Sequence, residues 1–253
     1  MRIGIIGMGV VGKATAKTFK YIGHNIIAYD KYQRNPVSDV HNILGLHTSD
    51  MIFICLPTPS NEEGIDMTAF DEVFPQLKGY EGLIVIKSTV LPGTCRKYAL
   101  KYKLKIAHNP EFLTAKNADF DSINPHKIVI GTNDLDAENL LQELYKPFPC
   151  PKFSVNLETA EMIKYACNCE LAMQVSYANE LYDIANKFNA DYIAIQLAML
   201  TDDRIGKFKE VTKERGFGGM CFPKDTLAFY KATGSKMVRA TIKVNQEVRN
   251  ENS

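Results

Sequence analysis

The sequence R-I-G-I-I-G-M-G-V-V-G at residues 2–12 decides the fold. A short apolar run ends in the pattern G-x-G-x-x-G, and the helical segment 13–21 follows directly. This is the order of strand, turn and helix that a dinucleotide-binding unit requires. Gly7 permits the tight turn, Gly9 lets a pyrophosphate approach the backbone, and Gly12 lets helix and strand pack closely. Because glycines also serve ordinary turns, the pattern needs support from its surroundings.

An acidic residue at the end of the second apolar run gives that support. Asp30 lies about 20 residues beyond the glycines, where a carboxylate binds the hydroxyls of an adenosine ribose. A carboxylate at this position repels a ribose phosphate, so NAD is favoured over NADP. We therefore predict an NAD site that includes the helix start at Val10 and Val11, where free N–H groups face the phosphates.

Short runs rich in Ile and Val recur along the first 150 residues, bounded by Gly, Pro, Asn or Asp. They alternate with amphipathic or loop segments, which is typical of βαβ units with buried parallel strands. The predicted strands are Arg2–Ile6, Asn25–Tyr29, Met51–Leu56, Leu83–Ser88, Lys105–His108 and Lys127–Ile130. We predict an α/β fold with a Rossmann-like, doubly wound parallel sheet, forming an NAD-binding domain over residues 1–150.

The pattern changes after a proline-rich stretch at residues 147–151, which is the predicted joint between two domains. From Leu157 to Phe188 apolar residues recur at three- and four-residue steps without Gly or Pro, which predicts one long helix or two end to end. Further helical patterns and one glycine loop follow, at Asp191–Leu200, Thr226–Tyr230, Lys236–Val248 and Gly216–Gly219. We predict a mostly helical central domain over residues 151–253.

Composition excludes several classes of protein. Thirty Lys and Arg against 29 Asp and Glu give a net charge of +1, which lacks the cationic excess typical of nucleic-acid or anionic-membrane binding. The longest apolar runs, such as Met51–Leu56, are far shorter than the roughly 20 residues that span a bilayer. We expect a cytoplasmic protein with no nucleic-acid or membrane partner. The six cysteines form no C-x-x-C pair and the histidines no H-E-x-x-H, so we expect reduced thiols and no metal.

One cysteine has neighbours that suit a nucleophile. Cys221 lies in G-F-G-G-M-C-F-P-K-D at residues 216–225, between a glycine loop and Pro223, which suits the first turn of a helix. A thiol at a helix N-terminus beside Lys224 is favoured as the reactive thiolate. Asp225, four residues on, lies on the same side of the helix start and can position a water or a proton. A buried structural cysteine is the alternative.

Polar residues of the predicted long helix share one face. Glu161, Lys164 and Asn168 are spaced by three and four residues, and Lys164 and Asn168 can together stabilise an oxyanion. A solvated stripe with an i, i+3 ion pair is the alternative. Thr89 and Glu111 follow two predicted strands, at the edge where a doubly wound sheet binds ligands. Helix capping or turn formation is the alternative for both.

Taken in order, the motifs resemble those of the UDP-glucose/GDP-mannose dehydrogenase family. They are G-x-G-x-x-G, Thr58-Pro59, K-S-T-V-L-P-G-T at 87–94, N-P-E-F-L at 109–113, the E-x-x-K-x-x-x-N helix and the cysteine segment, and they extend to residue 248. The resemblance implies NAD-dependent, four-electron oxidation of a nucleotide sugar's C6 alcohol to a carboxylate, with UDP-glucose the first substrate to try. It also implies a homodimer joined through the long helix.

The same resemblance implies a role for individual residues. Cys221 is the nucleophile, Lys164 with Asn168 stabilises the oxyanion, Asp225 and Thr89 hold the catalytic water, and Glu111 assists hydrolysis of a thioester. Cofactor contacts are implied for Thr58, Pro59 and Thr89 in addition to the glycine turn and Asp30. Substrate contacts are implied for Glu111, Phe112, Leu113, Lys164, Asn168, Arg204 and Gly218, with Arg204 reaching the substrate of a neighbouring subunit.

Two departures from the family pattern keep alternatives open. Ala115 stands where a second glutamate usually follows N-P-E-F-L, and we expect the chain to lack the family's C-terminal nucleotide-binding domain. One alternative is a two-electron dehydrogenase of the 3-hydroxyacid or 6-phosphogluconate type, which needs no thiol. The other is a catalytically silent NAD-binding regulatory subunit. Against the silent subunit stands the joint retention of Thr89, Glu111, Lys164, Asn168, Cys221 and Asp225.

Overall fold

The computed structural model describes residues 1–32, 39–61, 64–205, 211 and 214–250. The chain forms two units, Met1–Pro59 with Ile65–Lys164, and Ser60–Gly64 with Tyr165–Ser253. The two units are defined by packing, with a boundary after Lys164. The boundary at residue 150 was predicted from the sequence for two domains, and it stays a prediction.

The first unit is built on a sheet whose strands are mostly those predicted. The described strands are β1 (Arg2–Ile6), β2 (Asn25–Tyr29), β3 (Met51–Ile54), β4 (Ser60–Asn61), β5 (Gly64–Ile65), β6 (Leu83–Ile86), β7 (Lys105–His108), β8 (Ile128–Gly131) and β9 (Lys152–Val155). Seven of the described strands form one sheet in the order β2-β1-β3-β6-β7-β8-β9, and β4 pairs with β5. The six predicted strands are confirmed, and β9 is a strand that the sequence pattern did not indicate.

The direction of the last two strands differs from the prediction. The strands from β2 to β7 are parallel, but β8 pairs with β7 in the antiparallel sense through His108 and Gly131, and β9 is parallel to β8. The sheet is therefore mixed rather than wholly parallel. A reversed edge on an otherwise parallel sheet is common in doubly wound folds, because an edge strand can pair in either direction.

Helices cover both faces of this sheet. The described helices are α1 (Val10–Tyr21), α2 (Thr68–Val73), α3 (Thr94–Tyr102), α4 (Ala118–Ile123), α5 (Leu135–Leu144), α6 (Leu157–Lys187), α7 (Tyr192–Met199), α8 (Phe222–Thr233) and α9 (Lys236–Asn250). Successive strand residues point to opposite faces. Ile5 and Phe53 therefore join the apolar cluster under α1 and α5, whereas Ile6 and Ile54 join the cluster under α2 and α3. This confirms the doubly wound prediction.

The strand order places the ligand crevice. β1 has β2 on one side and β3 on the other, so the connections diverge between β1 and β3. Open α/β sheets bind ligands at such a switch point, outside the carboxyl ends of the strands. Gly7 follows β1 and Cys55 follows β3, so the glycine turn lies at the switch point.

The second unit is helical, as predicted, and the long pattern forms one helix, α6. Ala172, Ala178 and Ala185 are buried along it, and small side chains let neighbouring helices approach closely. Tyr165 stacks on Phe229 of α8 with ring centroids 5.4 Å apart, and Ser176 Oγ donates to the Thr241 carbonyl of α9 at 2.9 Å. In the residues with described positions, no helix combines the length and the apolar character needed to cross a membrane.

His108, at the end of β7, is fully buried, and neither ring nitrogen has a hydrogen-bond partner among the described residues. Burial, and secondarily the charge of Lys87, lowers the pKa of His108 from 6.5 to about 3. The ring is therefore neutral in the folded chain at neutral pH. The unfolded chain, by contrast, binds a proton there as pH falls through 6.5.

We expect His108 to weaken the fold in mild acid. Because the unfolded chain alone takes up the proton between about pH 6.5 and 3, this residue costs about 2 kcal/mol of stability at pH 5. In His108→Leu, the loss of unfolding free energy between pH 7.5 and pH 5, measured in urea, shrinks by about that amount. His126→Leu, an exposed position, serves as the control. An unchanged pH dependence in the His108 variant contradicts the prediction.

Candidate active site

The glycine turn leaves room at one position and none at the others. Gly7 has φ +89°, and a Cβ there would lie 2.5 Å from the Cys55 carbonyl oxygen. A Cβ at Gly12 would lie 1.9 Å from the carbonyl oxygen of Gly7. At Gly9, by contrast, a Cβ would meet no described atom within 4 Å. Gly7 and Gly12 are therefore required by the protein's own packing, whereas the space at Gly9 fits the approach of a pyrophosphate.

Asp30 braces this turn. Its Oδ2 accepts the Met8 N–H at 2.7 Å and its Oδ1 accepts the Tyr32 N–H at 2.9 Å. A carboxylate oxygen has two lone pairs and can accept a ribose hydroxyl in addition to a backbone N–H. No described side chain caps α1 at Gly9, which leaves N–H groups of the first turn for an anion. The turn, the acid and the helix start thus fit NAD.

The loops after β3 and β6 are tied together at the same edge of the sheet. Thr58 Oγ1 donates to the Thr89 carbonyl at 2.8 Å, and both residues are buried. Ser88 Oγ donates to the Leu56 carbonyl at 2.7 Å. The structure therefore brings together Thr58, Pro59 and Thr89, the three cofactor residues that the resemblance implied beyond the turn.

Asn109, the first residue of the N-P-E-F-L loop, anchors the loop through hydrogen bonds of its side chain. Its Oδ1 accepts from Lys87 Nζ at 2.8 Å and from the Tyr145 hydroxyl, and its Nδ2 donates to the Val129 carbonyl at 2.8 Å. One amide thus links β8 to the residues that directly follow β6 and α5. Burial lowers the pKa of Lys87. This network holds the backbone that leads into Glu111. The sequence pattern indicated no role for Lys87 or Tyr145.

Lys164 and Glu111 form a buried ion pair. Lys164 Nζ donates to Glu111 Oε1 at 3.0 Å and to the Glu111 carbonyl at 2.7 Å, and the two side chains are 5% and 12% exposed. Glu111 Oε2 accepts the Leu113 N–H at 2.6 Å. Lys164 and Lys127 both lie over the Phe112 ring, at 5.4 and 4.3 Å. The structure therefore unites four of the predicted substrate and catalytic residues.

Glu161 has a different partner from the one its spacing suggested. It is fully buried and accepts the N–H groups of Gly93 at 2.6 Å and Cys95 at 2.7 Å. Burial raises its pKa. Glu161 therefore caps the start of α3, while Lys164 pairs with Glu111. The alternative of a solvated stripe with an i, i+3 ion pair is wrong.

A second polar cluster lies at the start of α8. Asn168 Nδ2 donates to Asp225 Oδ2 at 2.6 Å, Lys224 Nζ bonds to Asp225 Oδ1, and Asp225 is buried. The Asp225 N–H donates to the Cys221 carbonyl at 2.8 Å, which closes the first turn of the helix. The Lys224 ammonium is therefore engaged by Asp225, and its predicted effect on the thiol stays a prediction.

The cysteines separate by burial. Burial raises the pKa of the Cys55 and Cys169 thiols to about 12, and it raises the pKa of Cys95 well above its usual value. These thiols therefore stay protonated at neutral pH. Cys221 is exposed, so the alternative of a buried structural cysteine does not hold for it.

Two predicted substrate residues lie at the surface of the second unit. Arg204 is exposed, and its Nη2 donates to Asp202 Oδ2 at 2.6 Å. Gly218 is also exposed, and a Cβ there would lie 2.8 Å from a guanidinium nitrogen of Arg249. Their contacts with a substrate stay predictions.

The glycine turn at the switch point of a mostly parallel sheet makes the first unit a Rossmann-type, NAD-binding unit. Residues 37–149 match the NAD binding domain of the UDP-glucose/GDP-mannose dehydrogenase family, and residues 158–252 match its central domain. The chain therefore belongs to the UDP-glucose/GDP-mannose dehydrogenase family.

Individual proteins similar to this chain support the family assignment. The UDP-glucose 6-dehydrogenase TuaD of Bacillus subtilis is 32% identical over 98% of this chain and 63% of its own length. The UDP-glucose 6-dehydrogenase of Rickettsia typhi is 33% identical over 97% of this chain and 67% of its own. A UDP-glucose dehydrogenase from the hyperthermophilic archaeon Pyrobaculum islandicum has a similar solved structure, with a TM-score of 0.86 and 28% identity over 99% of this chain and 68% of that one. The chain thus spans about two thirds of the length of each of these three relatives.

Proposed function

We propose that the chain is an NAD-dependent dehydrogenase that oxidises the C6 alcohol of a nucleotide sugar to a carboxylate, with UDP-glucose converted to UDP-glucuronate. Family membership and the names of the relatives support the reaction class. The observation that carries the proposal is the exposed Cys221 at the start of α8, one turn before the buried Asp225 that Asn168 holds. A two-electron dehydrogenase has no use for such a thiol.

The proposed reaction has four steps, and NAD when bound supplies the hydride acceptor for two of them. The C6 alcohol first loses a proton and a hydride, giving an aldehyde. The Cys221 thiolate adds to the aldehyde carbon, and the resulting thiohemiacetal loses a second hydride to become a thioester. Water then cleaves the carbon–sulfur bond, which releases the acid and restores the thiolate.

We assign a separate role at the sugar C6 carbon to each of the polar residues. We assign Lys164 and Asn168 to the oxyanion, because an ammonium and an amide N–H both stabilise negative oxygen. We assign Glu111 to the hydrolytic step, where its carboxylate accepts a proton from the attacking water. Asp225 and Thr89 are assigned to holding that water. The Lys164–Glu111 contact supports the first and second assignments, since it holds Lys164 Nζ and Glu111 Oε1 3.0 Å apart in a buried place.

Counting reduced cofactor tests the proposed function. The chain is incubated with NAD and a panel of nucleotide sugars, and NADH and product are measured together. Two NADH per sugar with a uronic acid product is the expected result. One NADH and an aldehyde show that the reaction stops after the first hydride transfer, and contradict the four-electron oxidation. No NADH with any sugar, from a chain that still binds NAD, points to the silent regulatory subunit.

We also propose that the chain acts as a homodimer joined through α6. Tyr177, Ile184 and Phe188 are large, exposed, and spaced by seven and four residues, so they share one side of the helix end. Large apolar side chains exposed on one side of a helix often mark an interface. Sedimentation equilibrium checks this, and a monomer at all accessible concentrations contradicts it.

A further inference from the structure

The glycine loop that precedes Cys221 is held by an asparagine on another helix. Asn245 of α9 accepts the Phe217 N–H through Oδ1 at 2.6 Å and donates to the Phe217 carbonyl through Nδ2 at 3.1 Å. Asn245 is buried. One amide thus satisfies both backbone groups of a single loop residue, much as a neighbouring strand would.

A second asparagine holds the adjoining residue. Asn179 of α6 is buried, and its Oδ1 accepts the Gly216 N–H at 3.2 Å. Its Nδ2 donates to the Val175 carbonyl of its own helix at 2.8 Å, which fixes the orientation of the amide. Two consecutive loop residues are therefore bonded to side chains from two different helices.

The fit between loop and asparagine is close. Gly216 has φ +66°, and a Cβ there would lie 2.6 Å from Asn245 Oδ1. A side chain at this position would displace the Asn245 amide as well as strain the backbone. The glycine is therefore part of the same clamp.

The clamped residue lies four positions before the nucleophile and also contacts the residue that follows it. Phe217 is buried, and its ring packs edge-on against Phe222, with centroids 6.1 Å apart and planes at 83°. Phe222 follows Cys221 and is the first residue of α8. The Phe222 carbonyl accepts from Thr226 Oγ1 at 2.7 Å, which anchors this turn to the helix. A shift of Phe217 therefore moves the backbone on both sides of Cys221.

We propose that Asn245 is a positioning residue for the thiol: by clamping Phe217, it sets where Cys221 sits at the start of α8. Asn245 acts through the loop and touches no reacting atom. The consequence for turnover rests on the proposed function. The consequence for the reactivity of the thiol does not, because alkylation of Cys221 needs neither sugar nor NAD.

The test compares Asn245→Leu with Gln246→Leu, which makes the same kind of change at the next, exposed residue of α9. Both variants are assayed below their unfolding temperature. The rate of Cys221 alkylation by iodoacetamide is followed by peptide mass spectrometry across pH, and kcat and KM are measured with the sugar nucleotide. Asn245→Ser, which leaves room for a bridging water, replaces Asn245→Leu if the latter does not fold.

In the Asn245 variant we expect alkylation of Cys221 at neutral pH to slow about threefold, because the thiol leaves its place at the helix terminus. We expect kcat to fall about a hundredfold with KM within about threefold of the parent. Parent-like alkylation and kcat in a folded Asn245 variant overturn the proposal, as do equal losses in Gln246→Leu. A parent chain that oxidises no sugar refutes the proposed function, and the alkylation arm then decides this inference alone.

Discussion

We expect the replacement of Cys221 by alanine to lower the proposed uronic acid formation by about a thousandfold or more, on the scale seen when a covalent nucleophile is removed. Without the thiol no thiohemiacetal forms, so the aldehyde carbon does not reach the tetrahedral state from which the second hydride leaves. NAD affinity stays within about twofold, since the glycine turn and Asp30 that fit the cofactor belong to the other unit. Acid release under saturating NAD and sugar measures the effect.

Cys150→Ala is the matched control for this variant. Cys150 is half-buried, lies after α5 in the first unit and has no assigned role in the reaction. We expect its loss to leave acid formation within about twofold of the parent. If Cys221→Ala turns over at the rate of Cys150→Ala, the thioester mechanism is wrong and the two-electron alternative gains support.

We expect Lys164→Met to lower turnover strongly and also to lower the free energy of unfolding. Removing the ammonium leaves the Glu111 carboxylate, 12% exposed, without its ionic partner. Breaking a buried ion pair on one side costs about 3 kcal/mol of unfolding free energy. We expect turnover to fall by about a hundredfold or more, because the oxyanion of the proposed reaction loses its main counter-charge. Urea unfolding and steady-state rates on the same preparation measure both effects.

A double variant separates the two roles of Lys164. In Lys164→Met with Glu111→Gln no uncompensated buried carboxylate remains, so most of the lost stability returns. Turnover stays low, because neither the ammonium nor the carboxylate is restored. Recovery of turnover together with stability would show that Lys164 only supports the fold.

The fold was predictable where strands are buried on both faces. Runs such as Met51–Ile54 and Leu83–Ile86 are wholly apolar because helices cover them on both sides, and the sequence shows this directly. β9 was not predicted, because it is an edge strand in which Phe153 and Ser154 are exposed. Its residues therefore show no pattern of buried apolar positions. The antiparallel direction of β8 could not be predicted from the sequence either, because a buried strand has the same composition in either direction.

The site was predictable where backbone geometry dictates the residue type. Gly7 and Gly12 are fixed by contacts of 2.5 and 1.9 Å that a Cβ would make, and only glycine avoids them. Partners distant in the chain left no such signal. Glu161 bonds to N–H groups 68 and 66 residues away, and Asn245 to a residue 28 away. Helical spacing indicates only the local neighbours of Glu161, and its buried carboxylate bonds elsewhere.

The hydrogen bonds by which Glu161 caps α3 also tie α6 to the segment that follows Thr89. The same carboxylate belongs to α6, three residues before Lys164, and bonds to the backbone four and six residues after Thr89. We therefore expect the thermal displacements of the Thr89 loop and of Lys164 to be correlated, because a short path of covalent and hydrogen bonds joins them. We expect the distance between the Thr89 hydroxyl and the Lys164 ammonium to fluctuate less than it would without the two hydrogen bonds of Glu161.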